Sequence, residues 1–144
     1  MKKIIAILII AIVIIVTAVI YNYNTYQSNL RGIERLNQEY ENFINEGEII
    51  GTSLITLINK SMDLNNKNGL QKDEKGIYIP NDTNSIRIDI KFILADNLIP
   101  MEKIANGGSE AFIKNYATVH FKCTNKQYHE KTNTIKYMLF EEQE

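Results

Sequence analysis

The chain has 144 residues, 44% of them hydrophobic, with 16 basic and 17 acidic side chains and a formal charge of −1. That length allows one ordinary domain plus an anchor, and the near-neutral balance argues against a surface built for nucleic acid. A single cysteine excludes an internal disulfide, so the folded part must rely on its core.

The first element is apolar. Ile4 to Tyr21 carries no charge and has only Thr17 as a polar interruption. As a helix it rises about 27 Å, close to the ~30 Å hydrocarbon core of a bilayer. Lys2 and Lys3 precede it, and the first positive charge after it is Arg31. The positive-inside rule then predicts a cytoplasmic N-terminus and an outward C-terminal part. Tyr21, Tyr23 and Tyr26 follow where an outer interfacial belt takes aromatic rings. A cleaved signal peptide shares this layout, with Val16-Thr17-Ala18 as a small-residue site. The length of the run, and the lack of Gly or Pro before that site, favour an uncleaved anchor. No cysteine lies directly after the run to carry a lipid. The expected divisions are an anchor at 1–25, a stalk at 26–47 and an extracytoplasmic domain at 48–144. Without Lys2 and Lys3, 14 basic residues remain against 17 acidic ones, a charge of −3.

Leu30, Ile33, Leu36, Tyr40, Phe43 and Ile44 recur at helical spacing and predict an amphipathic stalk helix. Its stripe is expected to pack on its own domain, with self-association through the stalk as the alternative. Leu54, Leu57, Ile58 and Met62 predict a second helix, capped by Thr52 or Ser53 and stopped near Gly69. Ile77-Tyr78-Ile79, cut short by Pro80, reads as an edge strand. In SIRIDIKFIL, residues 85–94, Ile86, Ile88, Ile90, Phe92 and Leu94 alternate with Arg87, Asp89 and Lys91. This predicts a strand whose isoleucines face the core and whose charges, Asp89 included, face water or the open side of a sheet. Pro100 can start a helix, and Met101, Ile104, Ala105, Phe112, Ile113 and Tyr116 share one helical face. Gly107-Gly108 divides it into two short helices, with Ser109 capping the second. TVHFKCTNKQYH and TIKYMLFEE then predict an antiparallel hairpin about the turn EKTN. The fold class is α+β: a transmembrane helix, an amphipathic stalk helix, then a small, mainly antiparallel sheet with helices on one face.

Residues 119–131, VHFKCTNKQYHEK, hold the only cysteine and both histidines. In a strand, His120 and Cys123 point to opposite faces, and six residues separate Cys123 from His129 by ~20 Å. That spacing suits neither a tetrahedral metal site nor a Cys–His pair. Cys123 is expected as a small buried side chain, with His120 and His129 on the surface. DLNNKNGLQKDE, residues 63–74, approaches a calcium loop through Asp63, Asn65 and Glu74. Lys67 stands at a ligand position and the glycine comes one residue late, so a polar loop is expected. Asp73-Glu74 and Glu141-Glu142 have no apolar surroundings to raise a working acid. No catalytic, cofactor or metal residue is therefore assigned.

The runs G-T-x-x-x-x-L-I-N-K-x-x-D-x-N-x-K-N-G at 51–69, K-D-x-x-G at 72–76 and N-D-T-N-S-I at 81–86 resemble a family. So do Met101-Glu102, F-K-C-T at 121–124 and Tyr128-His129. The family comprises small single-pass membrane-anchored proteins of clostridia and related low-GC Firmicutes. The resemblance implies the domain layout and transfers no activity. Type IV pilins share an apolar helix running into an amphipathic one, but their glycine before the run and glutamate within it are missing. The function expected is a membrane-anchored extracytoplasmic domain that binds or scaffolds components of a bacterial cell envelope. Its partners would be the bilayer and an envelope protein, with no nucleic acid. The alternatives are a small envelope enzyme with a carboxylate-based site and a pilin-like assembly subunit.

Overall fold

A 44-residue helix, α1 (Lys2–Asn45), begins the chain. The computed structural model describes residues 2–45 and 47–144, without the side chains of residues 2 and 6. The charge at Lys2 that would help orient the chain therefore lies outside the described side chains. Residues 1–35 form one compact unit and Leu36–Glu144 a second. The first unit contains the one described segment that is long and apolar enough to cross a membrane, and none of that window is buried. Thr17 and Thr25 turn their hydroxyls back onto the carbonyls of Val13 and Tyr21, so these polar groups are satisfied within the helix.

The second unit is α+β. After the end of α1 come β1 (Ile49–Ile50), α2 (Gly51–Lys67), β2 (Arg87–Lys91) and β3 (Ile99–Pro100). Then follow α3 (Met101–Gly107), α4 (Ser109–Tyr116), β4 (His120–Tyr128) and β5 (Ile135–Glu142). The five strands form one sheet in the order β1-β4-β5-β2-β3. Its β1–β4, β4–β5 and β2–β3 pairs are antiparallel, and β2–β5 is parallel. The expected hairpin is present, and Asn133 in its turn takes φ 55°, a left-handed conformation that asparagine tolerates.

One face of the sheet carries the core. Ile88 and Ile90 lie beside Met138 and Phe140 in register, and all four are fully buried. Burying such side chains stabilises by about 1.5–3 kcal/mol each. Leu54, Leu57 and Ile58 of α2 complete this layer, and Tyr40 adds the last turns of α1. The Tyr40 hydroxyl meets Ser61 at 3.0 Å, and burial pushes its pKa up to about 12. Phe92, Phe112, Tyr116 and Phe121 close the other end as an aromatic cluster, with Phe92 edge-on to Phe121.

Several expectations are corrected. The strand ends at Lys91 rather than Leu94, and Leu94 is fully exposed. Asp89 is buried, 2% exposed, because its face of the sheet is covered near β3. Residues 77–79 add no strand to the sheet, and Tyr78 makes only an isolated bridge with Lys72. Neither Thr52 nor Ser53 caps α2, which starts one residue earlier with Ile50 before it. Ser109 does not cap α4, and its hydroxyl meets the Asn59 side-chain amide instead. Gly69 does follow the end of α2, at φ 70°.

Candidate functional site

The residues flagged in 119–131 do not converge. His120 is exposed, with Nδ1 3.4 Å from Glu48. Cys123 is partly buried, its thiol 3.5 Å from the Asn125 carbonyl, and burial raises its pKa. His129 is not the surface residue expected. It is 3% exposed, and its Nε2 donates to the Ser85 carbonyl at 2.8 Å, tying the hairpin turn to the segment before β2. The described residues contain no group of three or more metal-ligating side chains.

The calcium-like run is also structural. Asn65 is fully buried within α2, and its side-chain amide pairs with both backbone groups of Ile86, at 2.7 and 2.9 Å. Asp73 spends Oδ1 on the backbone N–H groups of Lys75 and Ile77, which shapes its turn. Glu141 faces Lys91 at 3.5 Å, and Glu142 accepts the Ile93 N–H at 2.9 Å.

A different set of residues meets in a pocket of about 370 Å³, lined by strand residues and by Tyr78 and Ile86 at the margin of the core. Three side chains form a row across it. Arg87 on β2 is in register with Tyr137 on β5, which is in register with Gln127 on β4. Between Gln127/Tyr137 and Tyr128/Ile135, one extra residue, Lys136, sits on β5. This bulge lets Ile135 and Met138 both reach the core while Lys136 and Tyr137 both line the pocket.

Two carboxylates line the same pocket. Asp89 lies opposite Pro100 in the β2–β3 ladder, and Pro100, held extended, leads directly into α3. That turn brings Glu102, in the first turn of α3, to the end of β2 that holds Asp89. Arg87 Nε donates to both Asp89 oxygens, at 3.2 and 3.0 Å, with Nη2 2.9 Å away. The Asp89 carboxylate in turn holds the Arg87 guanidinium pKa above its ordinary value. Burial, and then the charge of Asp89 beside it, pushes the Tyr137 phenol upward. Glu102 is 2% exposed. Its Oε1 accepts the Tyr78 N–H at 3.2 Å, while Oε2 is buried without a partner. Such an orphaned acceptor costs about 1–3 kcal/mol, and more when charged.

Tyr78 forms another wall. Its hydroxyl bonds to the Met62 carbonyl and to Asn66 Oδ1, which pins the polar 70–80 segment against α2. Pro80 and Ile86 add apolar surface. The pocket thus offers a fully bonded carboxylate, a half-bonded one, two cations and mixed aromatic and aliphatic walls. None of these residues had been singled out for chemistry in the sequence. An aspartate alternating with isoleucines reads as a solvated position until the neighbouring segments are in place, and no local pattern distinguishes Glu102. No family model, curated protein or solved structure matches this chain.

Proposed function

We propose that this protein is a membrane-anchored domain, held outside a bacterial cell membrane, that binds a small polar ligand in the pocket of Arg87, Asp89 and Glu102. The observation that carries this reading is the pocket itself. At about 370 Å³ it falls within the range of small-molecule sites, with few polar groups set among apolar walls. The apolar segment of α1 supports the anchor, and Lys2 and Lys3 before it support an outward domain.

Binding is favoured over catalysis by how the carboxylates are used. Both oxygens of Asp89 already accept from Arg87, so it is not poised to take a proton from a substrate. An enzyme remains the second reading because two buried carboxylates line one pocket, as carboxylate-based hydrolysis would require. An envelope protein partner, or self-association through the exposed face of α1, belongs to the same proposal without a site to carry it.

Two measurements test the reading. A cysteine appended after Gln143, in a Cys123→Ala background, should react with a membrane-impermeant thiol reagent in intact cells. Labelling only after lysis would overturn the orientation. Small polar metabolites should raise the melting temperature of the detergent-solubilised full chain, as any ligand of the native state does. Gln127→Trp, which fills the pocket from an exposed strand position, should abolish the shift. If no compound gives a shift that this substitution removes, the binding reading fails.

A further inference from the structure

We propose that the pocket takes a small zwitterion, a free α-amino acid in the simplest case, with its ammonium group at Glu102 and its carboxylate at Lys136 and Arg87. The inference rests on the ligand-binding reading above and assigns the chemistry of the ligand.

Glu102 sets the cationic end. It is 2% exposed, and Oε1 takes one weak backbone bond while Oε2 takes none. A carboxylate in that position lacks donors, and the other carboxylate of the pocket cannot share any. Arg87, which lines the same pocket, is committed to Asp89 through Nε and Nη2. An ammonium supplies three donors and a compensating charge at once. A ligand without an N–H donor would leave Oε2 unpartnered inside the fold.

Lys136 and Arg87 set the anionic end. Lys136 is exposed, lines the pocket, and makes no ion pair among the described residues. It occupies its position through the bulge in β5, which turns two successive residues, Lys136 and Tyr137, to the pocket. The Arg87 side chain keeps 54% of its surface in water beyond its contacts with Asp89. With Asp89 bonded to Arg87, Glu102 and Lys136 remain as the acidic and the basic side chain of the pocket without an ion-pair partner among the described residues. A ligand bearing one of each matches that pair, whereas a simple amine or a simple acid satisfies only one end. Tyr78, Pro80, Ile86 and Tyr137 leave an apolar or aromatic wall for the remainder of the molecule.

The test is calorimetric titration of the detergent-solubilised full chain with the common L-amino acids at neutral pH. For the tightest binder, the decarboxylated amine, the deaminated acid and the matched dipeptide follow. The expected result is that removing either charged group weakens binding by about tenfold or more. The dipeptide, whose charges lie further apart, distinguishes a peptide from a free amino acid as the source of the zwitterion. Glu102→Gln should weaken the amino acid by a similar factor. Lys136→Met, at an exposed position with little consequence for folding, should weaken the amino acid while leaving the decarboxylated amine unchanged. Equal binding of amine and amino acid to the wild type, or indifference to Lys136→Met, would overturn the anionic end. Equal binding of the deaminated acid would overturn the cationic end. A sugar or other uncharged compound whose binding is lost in Gln127→Trp would overturn the zwitterion and keep the pocket. Loss of both readings would follow from no pocket-dependent binding at all.

Discussion

Arg87 and Asp89, two residues apart on β2 and therefore on one face of the sheet, form a two-pronged ion pair with unequal ends. Asp89 is 2% exposed, while 54% of the Arg87 side chain remains in water. Removing one partner therefore has a different consequence from removing the other. Arg87→Ala leaves a buried carboxylate without its ion-pair partner, a loss of about 2–3 kcal/mol once the exposure of the arginine is discounted. Asp89→Ala leaves a guanidinium that water already reaches, at a cost of about 1 kcal/mol. Denaturant unfolding of the full chain in detergent should rank Arg87→Ala as the more damaging. The opposite ranking would mean that Asp89 bears a second structural contact.

The different legibility of the two faces of β2 has a physical cause. Alternation in SIRIDIKFIL separates the isoleucines from the charges, and the buried face follows because Ile88 and Ile90 must leave water. Alternation is silent about what covers the other face. Asp89 is buried beside β3, a segment that the alternation does not describe, with Pro100 opposite it. The burial of His129 is hidden from the sequence for the same reason, since it depends on Ser85 arriving from the segment before β2. The β5 bulge hides Lys136 differently. A strict period of two assigns Ile135 and Met138 to opposite faces, yet both are fully buried. The long apolar segment of α1 and the hairpin needed no such remote information, only composition and local pattern.

Asn65, in a run expected as a polar loop, lies instead within α2 and acts as a strut. Both of its amide groups are used on Ile86, whose neighbour Arg87 begins β2. Asn65→Ala should leave the backbone N–H and carbonyl of Ile86 buried and unpaired, costing about 2–4 kcal/mol for the two groups. Asn65→Asp should also destabilise, because it loses the donor to the Ile86 carbonyl. Calcium added to the wild type should leave the melting temperature unchanged, and a rise would show that residues 63–74 bind the ion after all.

Gly51 is required by proximity. Its N–H donates to the Val119 carbonyl at 2.9 Å, which brings the start of α2 against the end of α4. A Cβ there would lie 2.7 Å from the Tyr116 carbonyl carbon and closer still to its oxygen. Backbone cannot yield as a flexible side chain would, so Gly51→Ala should cost roughly 3 kcal/mol or more. Gly32→Ala is the control, because nothing lies within 4 Å of its added Cβ. In the helix α1 it should be neutral or stabilising by up to about 1 kcal/mol. Equal effects of the two substitutions would show that helix propensity, rather than the approach to Tyr116, governs Gly51.

Glu41, in the last turns of α1, ties that helix to β4. Lys126 Nζ approaches its two oxygens at 2.9 and 2.8 Å, and the Tyr128 hydroxyl donates to Oε1. The bond from Lys126, followed by that from Tyr128, lowers the Glu41 pKa below its ordinary 4.5. A carboxyl depressed in the folded state contributes stability that is fully present above the unfolded value. That contribution is lost as pH falls through the folded value, when the native state must take up the proton. Because 38% of the Lys126 side chain is exposed, the ion pair belongs with surface pairs and contributes less than about 1 kcal/mol. Glu41→Gln should therefore lower stability slightly at neutral pH and by a diminishing amount as pH drops below 4.5, until the two proteins converge. The measurement is the difference in unfolding free energy between wild type and Glu41→Gln across that range. A difference that stays constant through acid would show that the contacts of Glu41 act by shape alone, without its charge.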